Sequence, residues 1–215
     1  MTEPITTLTD YAISLLAFIF AGVLLCQSWK QRQISIRFWA IAFGCVALAA
    51  GLGGTCHGFV ATLGQPLTQR FWVSMLYLLT LASLTLLWGT VLSTLSPPWQ
   101  TWGLLAALVK AGLIWSLLQT LPLAFPKFTL VAWDYASALG MALLLYGGLC
   151  WTQTHPARAR SAPWMIAGIL TSGLAISVLA TQLTLGPFSS ADLYHLIQLG
   201  GLGLLFQGAK HLRDR

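Results

Sequence analysis

Seven apolar stretches follow one another along this chain with only short connections between them, and that succession limits the fold more than any other feature. Each is close to the ~20 residues an α-helix needs to cross ~30 Å of hydrocarbon. They run Thr9–Ser28, Phe38–Phe59, Phe71–Leu92, Thr101–Leu121, Phe128–Trp151, Pro163–Leu183 and Ala191–Ala209. Pro97, Pro98, Pro122, Pro126, Pro156 and Pro187 fall in the breaks, where a residue without an N–H belongs. No polar/apolar alternation runs through the stretches, which argues against a β-barrel. Only 7% of the residues are charged and 57% are hydrophobic, too few charges to cover a soluble surface. Residues 1–215 therefore read as a single domain, an all-α polytopic membrane bundle of seven transmembrane helices.

Charge placement sets the expected orientation. With the N-terminus outside, the inner side holds Lys30, Arg32, Arg37, Arg158, Arg160, Lys210, Arg213 and Arg215, and the outer side holds Arg70 and Lys127. Short inner loops carry the excess of Lys and Arg, so the C-terminus is expected in the cytoplasm of a bacterial inner membrane. The first stretch lacks a basic segment ahead of it and reads as a retained span, not a cleaved signal. The net charge of +6 is spent on these flanks, and no nucleic-acid partner is expected. Trp29, Trp72, Trp99, Trp102, Trp151 and Trp164 lie near stretch ends and are expected in interfacial belts. Cys26, Cys45, Cys56 and Cys150 are scattered, without disulfide or zinc-motif spacing, and read as small packing residues. His155 and His211 accompany basic residues and are expected in solvent.

Within that frame, five ionisable side chains fall at one depth on the outer side: Asp10, His57, Asp134, Asp192 and His195. Asp192 and His195 are three residues apart, hence on one helix face. An Asp at mid-membrane costs roughly 2.5–3.5 kcal/mol, so such residues point to use. Two imidazoles and a carboxylate suit a divalent ion, zinc first, with His57, Asp192 and His195 as ligands and a fourth position for water. A zinc-bound water attacks an ester or amide carbonyl, with Asp10 or Asp134 as general base or ligand-orienting group. Each residue also has a plainer role: Asp10 as a helix-start charge complementing the macrodipole, Asp134 within an aromatic belt, and Lys110 snorkelling or paired within the bundle. Gly51, Gly53, Gly54 and Gly58 around His57 permit close helix approach or a loosened helix end, and Gly200, Gly201 and Gly203 suggest a centrally packed last helix.

Three motifs carry a resemblance: Leu8-Thr9-Asp10-Tyr11, Gly53-Gly54-Thr55-Cys56-His57-Gly58-Phe59 and Asp192-Leu193-Tyr194-His195-Leu196-Ile197-Gln198. Together they resemble a bacterial group of seven-span membrane proteins that is distantly similar to the superfamily of alkaline ceramidases and progestin and adipoQ receptors. The resemblance implies seven helices and a zinc ion held by one histidine late in the second span and two early in the seventh. It carries His57 onto the second-span ligand, His195 onto a seventh-span ligand, and Asp10 onto an acidic position of the first span. The chain departs from the pattern at Leu199 and Ala191, which leave no second histidine, and at Gly53, where the ceramidases have serine. Asp192 is then the replacement ligand.

Three functions follow as expectations. The first is a zinc-dependent membrane hydrolase of a lipid amide or ester. The second is a non-enzymatic lipid-binding or receptor-like protein with a structural metal or hydrogen-bond site. The third and weakest is a haem protein with His57 and His195 as axial ligands. Membrane lipid is the expected partner.

Overall fold

The computed structural model describes residues 2–121, 127–152 and 160–215, with Trp151 and Thr152 as backbone only. Pro122, Pro126, His155, Pro156, Arg158 and the Trp151 side chain, all named above, lie outside the described residues. Seven helices follow in order: α1 (Pro4–Gln31), α2 (Ile34–Leu63), α3 (Gln65–Thr94), α4 (Pro97–Thr120), α5 (Lys127–Thr152), α6 (Ala162–Ala180) and α7 (Ser190–Lys210). Among the described residues there is no strand, only an isolated antiparallel bridge between Leu185 and Phe188 ahead of α7.

The helices outrun the apolar stretches. The expected connection Trp29–Arg37 shrinks to residues 32 and 33, with Arg32 left-handed at φ 54°, and the expected Val60–Arg70 shrinks to Gly64 at φ 73°. Continuing the helix satisfies backbone groups that an open loop would leave near hydrocarbon, and long basic side chains at its ends reach water. A proline in the first turn starts α1, α3, α4 and α6, where its missing N–H costs nothing.

Six helices are long and apolar enough to cross a membrane. The expected seventh span, α7, is not among them, because Asp192, His195, Gln198 and Gln207 dilute it. Outward-facing residues are apolar instead: Phe18, Trp102, Leu108, Leu144 and Leu170 are all more than two-fifths exposed. Such a surface suits lipid, not water.

Contacts order the helices. α1 packs on α2, α2 on α3, α3 on α5, α5 on α6, α6 on α7, and α7 returns to α1. These six form a closed ring. α4 lies outside it against α3, burying only Ala107, Ala111 and Leu118.

Close approach is built in where α1 meets α2. A Cβ on Gly54 would sit 2.9 Å from Asp10 Cβ, and one on Gly58 would sit 2.8 Å from Thr7 Cγ2. Gly54 and Gly58 are four apart and form a small-xxx-small seam. On α7, Gly201 and Gly208 face α6 closely, whereas Gly200 and Gly203 meet nothing within 4 Å. The glycine cluster of α7 is thus only partly a packing device. Of the cysteines, Cys45 and Cys56 are buried as expected, Cys150 is half-buried, and Cys26 is exposed.

The C-terminal tail ties down the opposite end of the ring. Asp214 accepts hydrogen bonds from the backbone N–H groups of Ile34 (2.6 Å) and Ser35 (2.8 Å), the first turn of α2. Gln33 provides α2 with no side-chain cap, so a residue from the other end of the chain takes that place. Arg215 donates to the carbonyl oxygens of Leu92 (3.0 Å) and Thr94 (2.5 Å) at the end of α3.

Candidate functional site

α1 and α7 run parallel and meet through two matched rungs. Thr6 Oγ1 donates to Asp192 Oδ1 at 2.8 Å, and Thr9 Oγ1 meets His195 Nδ1 at 3.0 Å. Both partners are 186 positions apart in sequence, so one i, i+3 pair is laid against another in register. The sequence reading picked out Asp192 and His195 and missed Thr6 and Thr9. The repeated three-residue spacing on the first helix was the available signal.

Asp192 belongs to a helix cap. Its Oδ2 accepts from the Ser189 backbone N–H (2.8 Å) and the Ser189 hydroxyl (2.7 Å), while Ser189 Oγ accepts from the Asp192 N–H (3.2 Å). This is a capping box on α7, and with Thr6 it occupies both carboxylate oxygens. Asp192 does not border the cavity described below.

His195 is oriented from both sides. The Thr9 hydroxyl lies within hydrogen-bond distance of the carbonyls of Ile5 (3.1 Å) and Thr6 (3.0 Å) as well as of Nδ1, and it has one proton to give. Given to Nδ1, that proton leaves the ring proton on Nε2, the tautomer that suits a carboxylate neighbour. Nε2 lies 3.3 Å from Asp10 Oδ1. Asp10 sits in the second turn of α1, only 6% exposed, and not at the helix start expected from a macrodipole role. Its carboxylate accepts no hydrogen bond from any other described residue, and it opens onto a cavity.

That cavity has a volume of about 330 Å³ and is bordered by residues of every helix in the ring and none of α4. Its walls are chiefly apolar, among them Ile13, Val46, Met75, Leu79, Val131 and Ile176. Asp10, His57, His195, Gln198 and the rings of Tyr135 and Tyr194 supply the polar part. Gln198 is held by its donation to Ser172 Oγ at 3.2 Å. Trp72 borders the cavity; its ring packs edge-on against His57 (6.4 Å between centroids) and at 5.9 Å from Phe128. Trp29, Trp99, Trp102 and Trp164 are exposed, as a belt requires.

His57 lies just before a break in α2, where Phe59 adopts non-helical φ −130° and ψ 18°. The expected loosened helix end is therefore present. Its Nδ1 pairs with Glu3 Oε2 at 2.8 Å, and its carbonyl accepts from Thr2 Oγ1 at 2.6 Å, so the N-terminus is strapped over this end of the cavity.

The structure brings Asp10, His57 and His195 to one cavity and leaves Asp192 off its wall, in the α7 cap and on Thr6. Asp134 is elsewhere. It is ion-paired with Lys110 of α4, whose ammonium also donates to Ser83 Oγ (3.0 Å) and the Asp134 carbonyl (2.9 Å). This cluster ties the peripheral helix to α3 and α5, the in-bundle pairing expected for Lys110. Among the described residues, no group of three or more His, Cys, Asp or Glu side chains is placed to hold a metal ion.

No curated protein and no solved structure matches the chain. A family match extends over residues 5–214, nearly the whole sequence and all seven helices. The chain belongs to the family of unknown function DUF6962.

Proposed function

We propose that this protein is a membrane-embedded binding protein for a small amphiphile, whose apolar body occupies the cavity while its head meets Asp10, His57 and His195. The observation that carries the reading is the cavity itself, about 330 Å³ inside the ring, apolar over most of its wall and polar on one side. Ligand pockets have this size range and this division of lining. The likeness of the three motifs to a lipid-handling superfamily supports the same class of ligand.

In this reading all seven helices span, with α7 tolerating its polar residues because α1 and α6 flank it. The Lys and Arg count favours an outer N-terminus and a cytoplasmic C-terminus in a cell membrane, which puts the cavity on the outer-leaflet side. Thermal unfolding in nanodiscs tests the reading. A dodecyl amphiphile should raise the midpoint saturably, and Ala132→Phe, which fills the cavity, should abolish that rise without unfolding the protein. A rise that never saturates, or that survives the filling, would count against binding.

The second reading is a zinc-dependent lipid hydrolase, favoured by the shared cavity of His57 and His195. The ligand set is incomplete for it. Both Asp192 oxygens are engaged in the cap and with Thr6, and among the described residues no three His, Cys, Asp or Glu side chains are placed together to hold an ion. Stoichiometric zinc in purified protein, lost in His57→Ala and His195→Ala, would restore the hydrolase.

A further inference from the structure

Asp10 is the least satisfied buried charge-bearing group on the cavity wall. It is 6% exposed, borders the cavity, and has a single polar neighbour, His195 Nε2 at 3.3 Å. That neighbour gives the carboxylate one donor when Thr9 serves Nδ1, and the second carboxylate oxygen has no hydrogen bond from any described residue. A buried carboxylate on an apolar wall keeps a charge that one neutral imidazole does not offset, and a cationic group with N–H bonds fits it. The surroundings favour positive charge. None of the described residues bordering the cavity is Lys or Arg. A further carboxylate stands one contact behind its polar side, Glu3 on His57. The rings of Trp72, Tyr135 and Tyr194 add faces that accept a cation.

We propose that the cavity selects an amphiphile whose head is a protonated amine, seated on the Asp10 carboxylate. This rests on the binding reading above and adds the chemical class of the head. The ammonium donates an N–H to Asp10, and its chain lies along the apolar wall toward Val46 and Met75. His195 is a positioning residue that holds the carboxylate from its other side.

The test is competition against photolabelling by an alkyl diazirine at Met75 and Val131, in nanodiscs of zwitterionic lipid. Dodecylamine, dodecanol and dodecanoate share one chain and differ only in the head. Dodecylamine should compete roughly ten- to a hundredfold better than dodecanol, the worth of a charge-assisted hydrogen bond, and dodecanoate should compete worst. Asp10→Asn should bring amine and alcohol to within about threefold, the remainder of that preference being partitioning. Asp10→Ala is a second variant, with the same expectation, should Asp10→Asn fail to give folded protein by size exclusion and thermal unfolding. Equal competition by all three heads, or preference for the carboxylate, overturns the amine assignment and leaves the binding reading intact. No competition by any of them overturns the binding reading itself. Amine preference that disappears on chelation and returns with zinc alone overturns the assignment in favour of a metal at Asp10.

Discussion

At the scale of single residues, the same chemistry takes opposite roles according to the direction a side chain faces. Asp10 and Asp134 are both buried carboxylates. Asp10 faces the cavity with one polar neighbour, whereas Asp134 is matched by an ammonium and lies off the cavity wall. Counting residues along spans groups side chains by level, and the meeting of Asp10, His57 and His195 at one cavity was legible in that way. Azimuth was not, because it depends on which helix packs outside the ring, and α4 brings Lys110 to Asp134 from there. Asp192 was legible in another way. Ser189-x-x-Asp192 is a capping-box spacing, obscured because the apolar stretch begins only at Ala191. The Lys110–Asp134 pair gives a quantitative expectation. Lys110→Met leaves a buried carboxylate without its partner and should cost about 3–5 kcal/mol, whereas Lys110→Met with Asp134→Leu should recover most of that loss. Thermal unfolding of the two singles and the double decides, and a double no better than the singles would deny the pair its structural role.

At the scale of helices, close approach accounts for the geometry of the site. The seam of Gly54 and Gly58 lets α1 lie against α2, which sets Asp10 and Thr7 on that contact while Thr6 and Thr9 face α7. The sequence suggested small-residue packing here, and the structure names the partners. For α7 the inference from Gly200 and Gly203 does not transfer, since both face open space. A glycine in a sequence reports permission for contact, and the contact needs a neighbour. Gly58→Val would drive a branched side chain into Thr7 and should cost about 1–3 kcal/mol, read as a lowered unfolding midpoint in detergent. Gly203→Val, into open space, should leave the midpoint nearly unchanged. Equal losses in the two variants would show that the seam is not what matters.

At the scale of the whole molecule, apolar length and charge placement made the helix count and the antiparallel succession legible, because each span must satisfy its own backbone in hydrocarbon. The closure of the ring by α7 on α1, the exclusion of α4 and the cavity were not legible. They come from side-chain packing between elements distant in sequence, such as Thr6 with Asp192 and Thr9 with His195. The central claim is that the ring encloses a binding site for an amphiphile. The most direct measurement is peptide mapping after photolabelling with an alkyl diazirine, which scores inner and outer faces in one experiment. Saturable labelling is expected at cavity residues such as Met75, Leu79, Val131 and Ile176, suppressed by unlabelled competitor and by Ala132→Phe. Labelling confined to outward-facing residues such as Leu105, Leu144 and Leu170, unaffected by competitor, would contradict it.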